Sequence, residues 1–167
     1  MAKKNEEEKT NVMRVLDQKK IVYSHYCYID LCGKEVTTNG VRIAQLLGQD
    51  PARVFKTLVT VGKTKQHYVF MVPVAQELDL KKAALAVGEK SIEMIPQKEL
   101  LPLTGYVHGG CSPIGMKKTF PTVVHGTAKE YERILFSAGK IGYQVELPAS
   151  ELEKVVKLSY ADIVEAS

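Results

Sequence analysis

Lys56 is the residue whose type and position most clearly indicate chemistry. It lies inside an apolar run, 54–61, that reads as a β-strand. Alternate residues of a strand share a face, so Lys56 lies with Val54 and Leu58, and both faces are largely apolar. A buried, unpaired ammonium is costly, so Lys56 must meet a carboxylate, a ligand or solvent. Either it faces a cleft as a site residue, or it extends into water from an edge strand.

The glycine-rich segment 104–118 is the second candidate. Four glycines and Pro113 make it too irregular for a helix, so it reads as a shaped loop. At Gly109 and Gly110, successive backbone N–H groups could approach a ligand closely and cradle a carbonyl oxygen or an anion. A glycine pair is a weak signal by itself, because glycine-rich loops are more often simple turns.

Cys111 follows the glycine pair and offers an alternative, a thiol nucleophile. His108 and His125 lie in the same third of the chain. A catalytic thiol needs a pKa lowered by a positioned histidine or a helix N-terminus, and closeness in sequence does not supply that geometry. We therefore expect Cys111 to be a small buried or loop residue. The three cysteines form no CxxC cluster, and HExxH, P-loop and GxSxG motifs are absent, so we expect no metal and no cofactor.

Short helices and strands must position these residues. The patterns predict helices at 11–19 after the N-cap Thr10, at 40–47, after Asp79 up to Gly88, at 127–132, and after Pro148 with Leu158 facing inward beyond a Ser150–Glu153 capping box. They predict strands at 21–29, 54–61, 67–74, 91–95, 122–125, 134–137 and 142–147. This order favours an α+β single domain with a mixed, partly closed, barrel-like sheet surrounded by short helices.

Length and charge set the remaining bounds. A chain of 167 residues is expected to form one domain, 10–167, after a charged flexible tail, 1–9, whose charges sum to zero. The net charge of +4 permits an anionic partner without requiring one. No apolar stretch approaches the roughly 18 residues of a membrane span, and the N-terminus lacks a secretion signal. We expect a cytoplasmic protein with no membrane partner.

Three motifs in order carry a resemblance to a known family. They are VFKTLV at 54–59, PVAQELDLKK at 73–82 and GYVHGGCSPIGMKK at 105–118. With them the chain resembles the YbaK/EbsC family of Cys-tRNA(Pro) deacylases, which are related to the editing domain of bacterial prolyl-tRNA synthetases. The resemblance runs from about residue 10 to 163, nearly the whole chain.

The resemblance implies trans-editing, the hydrolysis of the ester that joins a wrong amino acid to tRNA(Pro). It implies that the thiol of the substrate cysteine attacks its own ester carbonyl, with Lys56 positioning the substrate and the backbone of Gly110 facing the carbonyl as the catalytic residues. It further implies these substrate-binding residues: Tyr28, Thr57, Gly109, Ser112, Ser137 and Gln144. The implied partners are aminoacylated tRNA(Pro) and prolyl-tRNA synthetase.

The chain departs from the family pattern at three positions. Asn39 stands where relatives carry an aromatic residue, Ile141 where they often carry arginine, and Gln144 where they can carry aspartate. These departures bear on substrate choice, for which cysteine is the expectation and alanine or another small residue the alternative. Two other function classes stay open, a Cys111-dependent thiol hydrolase and a non-catalytic module that binds tRNA or the synthetase or acts in regulation. The sequence does not indicate an oligomeric state.

Overall fold

Helices and strands alternate in the structure much as the sequence patterns predict. A computed structural model describes residues 9–28 and 39–166. Its strands are β1 (Ser24–Cys27), β2 (Phe55–Gly62), β3 (His67–Pro73), β4 (Ile92–Met94), β5 (Thr122–His125), β6 (Ile134–Ser137), β7 (Tyr143–Leu147) and β8 (Leu158–Ala161). Its α-helices are α1 (Asn11–Gln18), α2 (Gly40–Leu47), α3 (Leu80–Val87), α4 (Leu100–Thr104) and α5 (Ala149–Leu152). Short 3₁₀ helices cover Pro51–Arg53, Gln97–Glu99 and Gly126–Glu130.

The strands form two sheets rather than the one partly closed sheet that we expected. The first sheet is antiparallel, in the order β1-β7-β6, and the second is mixed, in the order β4-β2-β3-β5-β8. A single parallel bridge between Val54 and Leu135 links them where β2 begins. The class is therefore α+β as predicted, whereas the described strands do not close into a barrel.

The β2–β3 hairpin is the centre of the larger sheet. Its two strands pair antiparallel from Phe55 opposite Pro73 to Val61 opposite His67, which confirms the predicted hairpin. The nearly continuous apolar run of β3 is typical of a strand covered on both faces. Residues of β3 alternate between two cores, because Met71 packs on one side and Phe70 on the other. The end of β2 that carries Lys56 is thus held on a rigid, central element.

The two cores lie on opposite faces of the five-stranded sheet. The larger core packs residues of β2, β3 and β5 against the three-stranded sheet and the apolar face of α1. The smaller core packs the other face against α3 and the C-terminal segment, where Ile163 is fully buried. Burial of this kind supplies the dominant favourable free energy of folding.

Side-chain caps fix where three helices begin. Thr10 and Asp79 accept backbone N–H bonds at the starts of α1 and α3, as predicted. Asn39 does the same for α2, where its Oδ1 accepts from the N–H of Arg42 at 2.9 Å. A capped N-terminus satisfies one of the donors that a helix otherwise leaves unpaired.

The C-terminal region differs from its prediction. Helix α5 ends at Leu152, Pro148 stands at its N-cap without a side-chain hydrogen bond, and the predicted Ser150–Glu153 capping box is not formed. Leu158 starts β8, which pairs in parallel with β5. This pairing stabilises the sheet, because β8 forms hydrogen bonds with backbone groups of β5 that would otherwise be unpaired at an exposed edge.

Two further findings concern the ends of predicted segments. Of the predicted strand 21–29, residue 29 lies outside the described part of the chain, and the observed strand covers Ser24–Cys27. Residues 1–8 lie outside the described part of the chain, so the boundary of the charged tail stays a prediction.

Within residues 9–28 and 39–166, no helix is both long enough and apolar enough to cross a membrane.

Candidate functional site

A small pocket lies where the two sheets meet. It has a volume of about 180 Å³, below the roughly 300–1,000 Å³ typical of sites for drug-sized ligands. Strands β2, β6 and β7, helix α2 and the glycine-rich loop form its walls. Its polar side chains are those of Tyr28, Lys56, Thr57, His108, Ser137, Tyr143 and Gln144. A pocket of this size suits one small group with a few polar contacts.

Lys56 contributes the ammonium of the pocket. Its side chain is 29% exposed, and Nζ lies 3.6 Å from Oε2 of Glu77. Strand β2 is the second of five in its sheet, and Lys56 pairs with Val72 of β3. Of the two positions predicted for Lys56, a cleft or the solvent side of an edge strand, the structure has the cleft, and a carboxylate lies beside it.

Thr57, the next residue on β2, has an unusual hydroxyl group. Its Oγ1 is buried and has no hydrogen-bond partner within the described part of the chain. Leaving a buried polar group unpaired costs about 1–3 kcal/mol, so native structures rarely do so without a reason. Thr57 lines the pocket, which makes its hydroxyl a candidate ligand contact.

Ser137 and Gln144 face each other on the paired strands β6 and β7. Oγ of Ser137 accepts a hydrogen bond from the N–H of Gly139 at 3.0 Å, which leaves its own proton available to donate. Gln144 is buried, and its Oε1 accepts from Nε2 of Gln49 at 2.8 Å. The sequence predicted Gln144 but not its partner Gln49, whose contact spans 95 positions of the chain.

Tyr28 is the buried residue that follows β1. Its backbone N–H donates to the carbonyl of Gly142 at 2.8 Å, which extends the pairing of β1 with the segment before β7. Tyr28 also lines the pocket. It therefore joins the first sheet to the pocket, and its role in substrate binding stays a prediction.

The glycine-rich loop contributes Gly109 but not Gly110 to the lining of the pocket. Gly109 has a φ of 88°, a left-handed conformation that favours glycine. Gly110 is buried, its N–H donates to the carbonyl of Val107 at 2.9 Å, and a Cβ on it would lie 2.9 Å from the nitrogen of Ile141. The turn thus engages the Gly110 donor in this conformation. The catalytic role of Gly110 stays a prediction.

Ser112 also lies outside the lining of the pocket. It is fully buried, and its Oγ accepts a weak bond from the N–H of Ile114 at 3.4 Å. The structure therefore brings six of the eight predicted site residues to one cavity and leaves Gly110 and Ser112 behind its wall. Substrate binding by Ser112 stays a prediction.

Tyr106 and Asn11 hold the loop in place. The hydroxyl of Tyr106 donates to the carbonyl of Ile114 at 2.5 Å. Nδ2 of Asn11, at the start of α1, donates to the carbonyl of Gly115 at 3.2 Å and to the Tyr106 hydroxyl at 3.3 Å. These bonds tie an irregular segment to a regular helix. Sequence reasoning missed both residues.

Cys111 lines the pocket but is 8% exposed. Burial raises the pKa of its thiol to about 12, and a hydrogen bond with Thr104 only partly opposes this shift. At neutral pH the group is therefore a thiol and not the reactive thiolate. His108 lines the same pocket, and no hydrogen bond joins it to Cys111 within the described residues. The geometry disfavours the thiol-hydrolase alternative.

One of the three departures from the family pattern has a structural explanation. Asn39 caps α2 and lies outside the lining of the pocket. Ile141 is half-buried and contacts Gly110 through its backbone, so nothing in the structure explains its side chain. Gln144 alone changes the polar surface of the pocket, because an amide replaces the charge of a carboxylate. No group of three or more His, Cys, Asp or Glu side chains in the described ranges could hold a metal ion.

Comparisons with known proteins concern the family and the fold. The model of the aminoacyl-tRNA editing domain family matches residues 35–155. A protein of Enterococcus faecalis, named "Putative Cys-tRNA(Pro)/Cys-tRNA(Cys) deacylase EbsC", is 44% identical over 163 residues, which cover 98% of each chain.

Solved structures share the fold at lower identity. The hypothetical protein APE2540 aligns with a TM-score of 0.81 at 19% identity, over 92% of this chain and 99% of that one. A structure described as "a putative trans-editing enzyme for prolyl tRNA synthetase" aligns with a TM-score of 0.77 at 23% identity, over 93% of this chain and 95% of that one. At these identities the likeness concerns the fold alone.

Proposed function

Because the chain belongs to the aminoacyl-tRNA editing domain family, we propose that it is a trans-editing deacylase that hydrolyses the ester of mischarged tRNA(Pro), with Cys-tRNA(Pro) as its main substrate. The observation that carries this proposal is the small pocket, in which an ammonium, an unpaired hydroxyl and a glycine backbone converge. Such groups can bind and polarise an ester without supplying a nucleophile.

A trans-editing enzyme is needed because a synthetase cannot distinguish amino acids of similar size by binding alone. A site shaped for proline cannot strongly exclude a smaller side chain, since one missing methylene changes binding by only about 1–3 kcal/mol. A second site that hydrolyses what it admits restores accuracy. The volume of about 180 Å³ favours a small aminoacyl group over a large one.

We propose that the substrate itself supplies the nucleophile. The substrate sulfur attacks the ester carbonyl carbon and forms a C–S bond. The bond from that carbon to the ribose oxygen breaks, and the ribose oxygen takes up one proton while the thiol gives one up. Water then opens the four-membered thiolactone and releases free cysteine. This route fits a site whose own cysteine is buried and protonated.

The pocket residues then bind and orient the ester. Lys56 presents its ammonium from a rigid strand, where it can stabilise negative charge that develops on the carbonyl oxygen. The backbone N–H of Gly109 has no acceptor within the described residues, so it is a candidate second donor. The hydroxyls of Thr57 and Ser137 and the amide of Gln144 line the rest of the cavity.

A pocket of this size can read the aminoacyl end and little else of a tRNA. We therefore propose that selectivity for the body of tRNA(Pro) comes from a complex with prolyl-tRNA synthetase. The net charge of +4 is compatible with binding to tRNA phosphates. We also propose, because the proposed substrate is a tRNA, that the protein acts in the cytoplasm.

A deacylation panel tests the proposal. Purified protein is mixed with tRNA(Pro) charged with cysteine, alanine, serine or 2-aminobutyrate, and loss of the ester is followed with and without prolyl-tRNA synthetase. Cysteine should be released fastest. The 2-aminobutyryl ester should react slowly, because a methyl group replaces its thiol. Equal rates for both would refute the substrate-assisted step. Binding of mischarged tRNA without hydrolysis of any ester would indicate a non-catalytic module instead.

A further inference from the structure

The motif at 73–82 brings a carboxylate close to the pocket. Oε2 of Glu77 lies 3.6 Å from Nζ of Lys56. The Glu77 side chain is 73% exposed and that of Lys56 is 29% exposed. The carboxylate is therefore the more exposed member of the ion pair, and Glu77 stands next to a residue that lines the pocket without lining it itself.

The backbone around Glu77 is held by the C-terminal segment. The carbonyl of Glu77 accepts from the N–H of Glu165 at 2.9 Å. The next two residues are held as well, because Leu78 forms a bridge with Val164 and the N–H of Asp79 donates to the carbonyl of Ile163 at 2.8 Å. An exposed side chain on such a fixed backbone stays close to the pocket even when its ion pair is loose.

The positive charge of Lys56 in the pocket would be balanced by this carboxylate when a second cation binds. Among the described residues that line the pocket, Lys56 is the fixed charge, and none is Asp or Glu. An aminoacyl ester carries an α-ammonium at neutral pH. Two cations close together repel each other, so the pocket alone would disfavour the substrate that it has to hold. Glu77 is the carboxylate paired with Lys56 and can offset that repulsion.

We propose that Glu77 is a substrate-specificity residue that binds the α-ammonium of the aminoacyl ester and so directs the site toward aminoacyl groups with a free α-amine. The inference rests on the proposed deacylase function. It assigns to Glu77 a direct contact with the substrate.

The test compares Glu77→Gln with the wild type and with Glu93→Gln, which removes an exposed carboxylate from β4. The measured quantity is kcat/KM for Cys-tRNA(Pro) between pH 6.5 and 9, corrected for spontaneous hydrolysis. At pH 6.5 Glu77→Gln should lose about 1.5- to fivefold, the range of an exposed ion pair. The loss should disappear at pH 9, because an α-amine with a pKa of about 7.7–8.0 is then neutral. Glu93→Gln should match the wild type throughout.

Other titratable groups near Glu77 do not alter this reading. Lys56, His108, Tyr143 and Cys111 line the pocket, and Glu165 and Asp79 flank the Glu77 backbone. All of them are present in both proteins, and a second substrate separates an indirect effect through Lys56 from loss of the ammonium contact.

A second substrate separates binding of the ammonium from support of Lys56. N-acetyl-Cys-tRNA(Pro) has no α-ammonium, so the wild type should prefer Cys-tRNA(Pro) over it more strongly than Glu77→Gln does. A loss in Glu77→Gln that is the same at every pH and on both substrates would overturn the inference and indicate that Glu77 acts only through Lys56. A ratio of one at every pH would also overturn it. A wild type without deacylase activity would instead refute the proposed function.

Discussion

The pocket has two walls that position their groups in different ways. The strand wall, formed by β2, β6 and β7, presents the side chains of Lys56, Thr57, Ser137 and Gln144 from paired strands. The loop wall, formed by residues 105–118, presents backbone groups and depends on a few bonds to Tyr106 and Asn11. Side-chain truncation should therefore damage the strand wall chemically, whereas changes in the loop wall should act through its shape.

The largest effect is expected at Lys56, in the strand wall. Lys56→Ala removes the ammonium of the pocket, and loss of one such group from an active site typically costs about 10²–10³ in rate. The unfolding free energy should change by less than about 1 kcal/mol, because Glu77 is 73% exposed and solvent screens its pair with Lys56. Steady-state deacylation of Cys-tRNA(Pro) and urea unfolding measure the two quantities.

Lys63→Ala is the matched control, since Lys63 is an exposed lysine in the turn after β2. It should deacylate as the wild type does. Retention of full activity by Lys56→Ala would remove Lys56 from the mechanism.

The second effect concerns Gly110, in the loop wall. Gly110→Ala places a Cβ about 2.9 Å from the nitrogen of Ile141, so the loop or the 140–141 backbone must shift. Crowding of this kind typically costs about 1–3 kcal/mol, and the displaced loop should lower kcat/KM by about tenfold. Urea unfolding and deacylation assays report both changes.

Gly126→Ala is the control for this substitution, because a Cβ there would meet no atom within 4 Å. It should leave activity and stability close to those of the wild type. Equal behaviour of the two alanine variants would show that the loop wall is more adaptable than its packing indicates.

A smaller effect is expected when the loop loses its anchor. Tyr106→Phe removes the hydroxyl that donates to the carbonyl of Ile114 and leaves that buried acceptor short of a partner. The expected loss is about 1–3 kcal/mol of unfolding free energy. The decrease in kcat/KM should be smaller than for Gly110→Ala, because the loop backbone keeps its shape. Tyr131→Phe, which removes a hydroxyl without a recorded bond among the described residues, should leave both values unchanged.

The sequence predicted the parts of this site that depend on local patterns. The apolar run around Lys56, the hairpin that it begins and the irregular loop are each visible in one continuous segment of the sequence, and each occurs where predicted. The caps Thr10 and Asp79 were predictable for the same reason, because a cap acts on the N–H groups of the next turn.

The sequence could not predict contacts that join distant segments. Gln49 meets Gln144 across 95 positions, and Asn11 meets Gly115 across 104. Strand β8 was missed because the apolar spacing of Leu152, Val155 and Val156 also fits a helix, and only pairing with β5 decides for a strand at Leu158. The turn that engages the N–H of Gly110 is likewise a property of the folded loop.

The smallest effect is expected at Cys111, a residue of the loop wall that lines the pocket. Cys111→Ser should keep kcat/KM within about twofold, because a thiol with a pKa of about 12 is not an effective nucleophile at neutral pH.

The same pKa predicts how the Cys111 thiol reacts with iodoacetamide in the folded protein. Peptide mapping should show that Cys27, which is exposed, is alkylated well before Cys111. The rate at Cys111 should rise about tenfold per pH unit from pH 7 to 10, since the thiolate fraction grows in that proportion below the pKa. A rate that levels off near pH 7, together with inactivation on alkylation, would show that Cys111 carries a low pKa and takes part in the reaction, and the loop wall would then supply chemistry as well as shape.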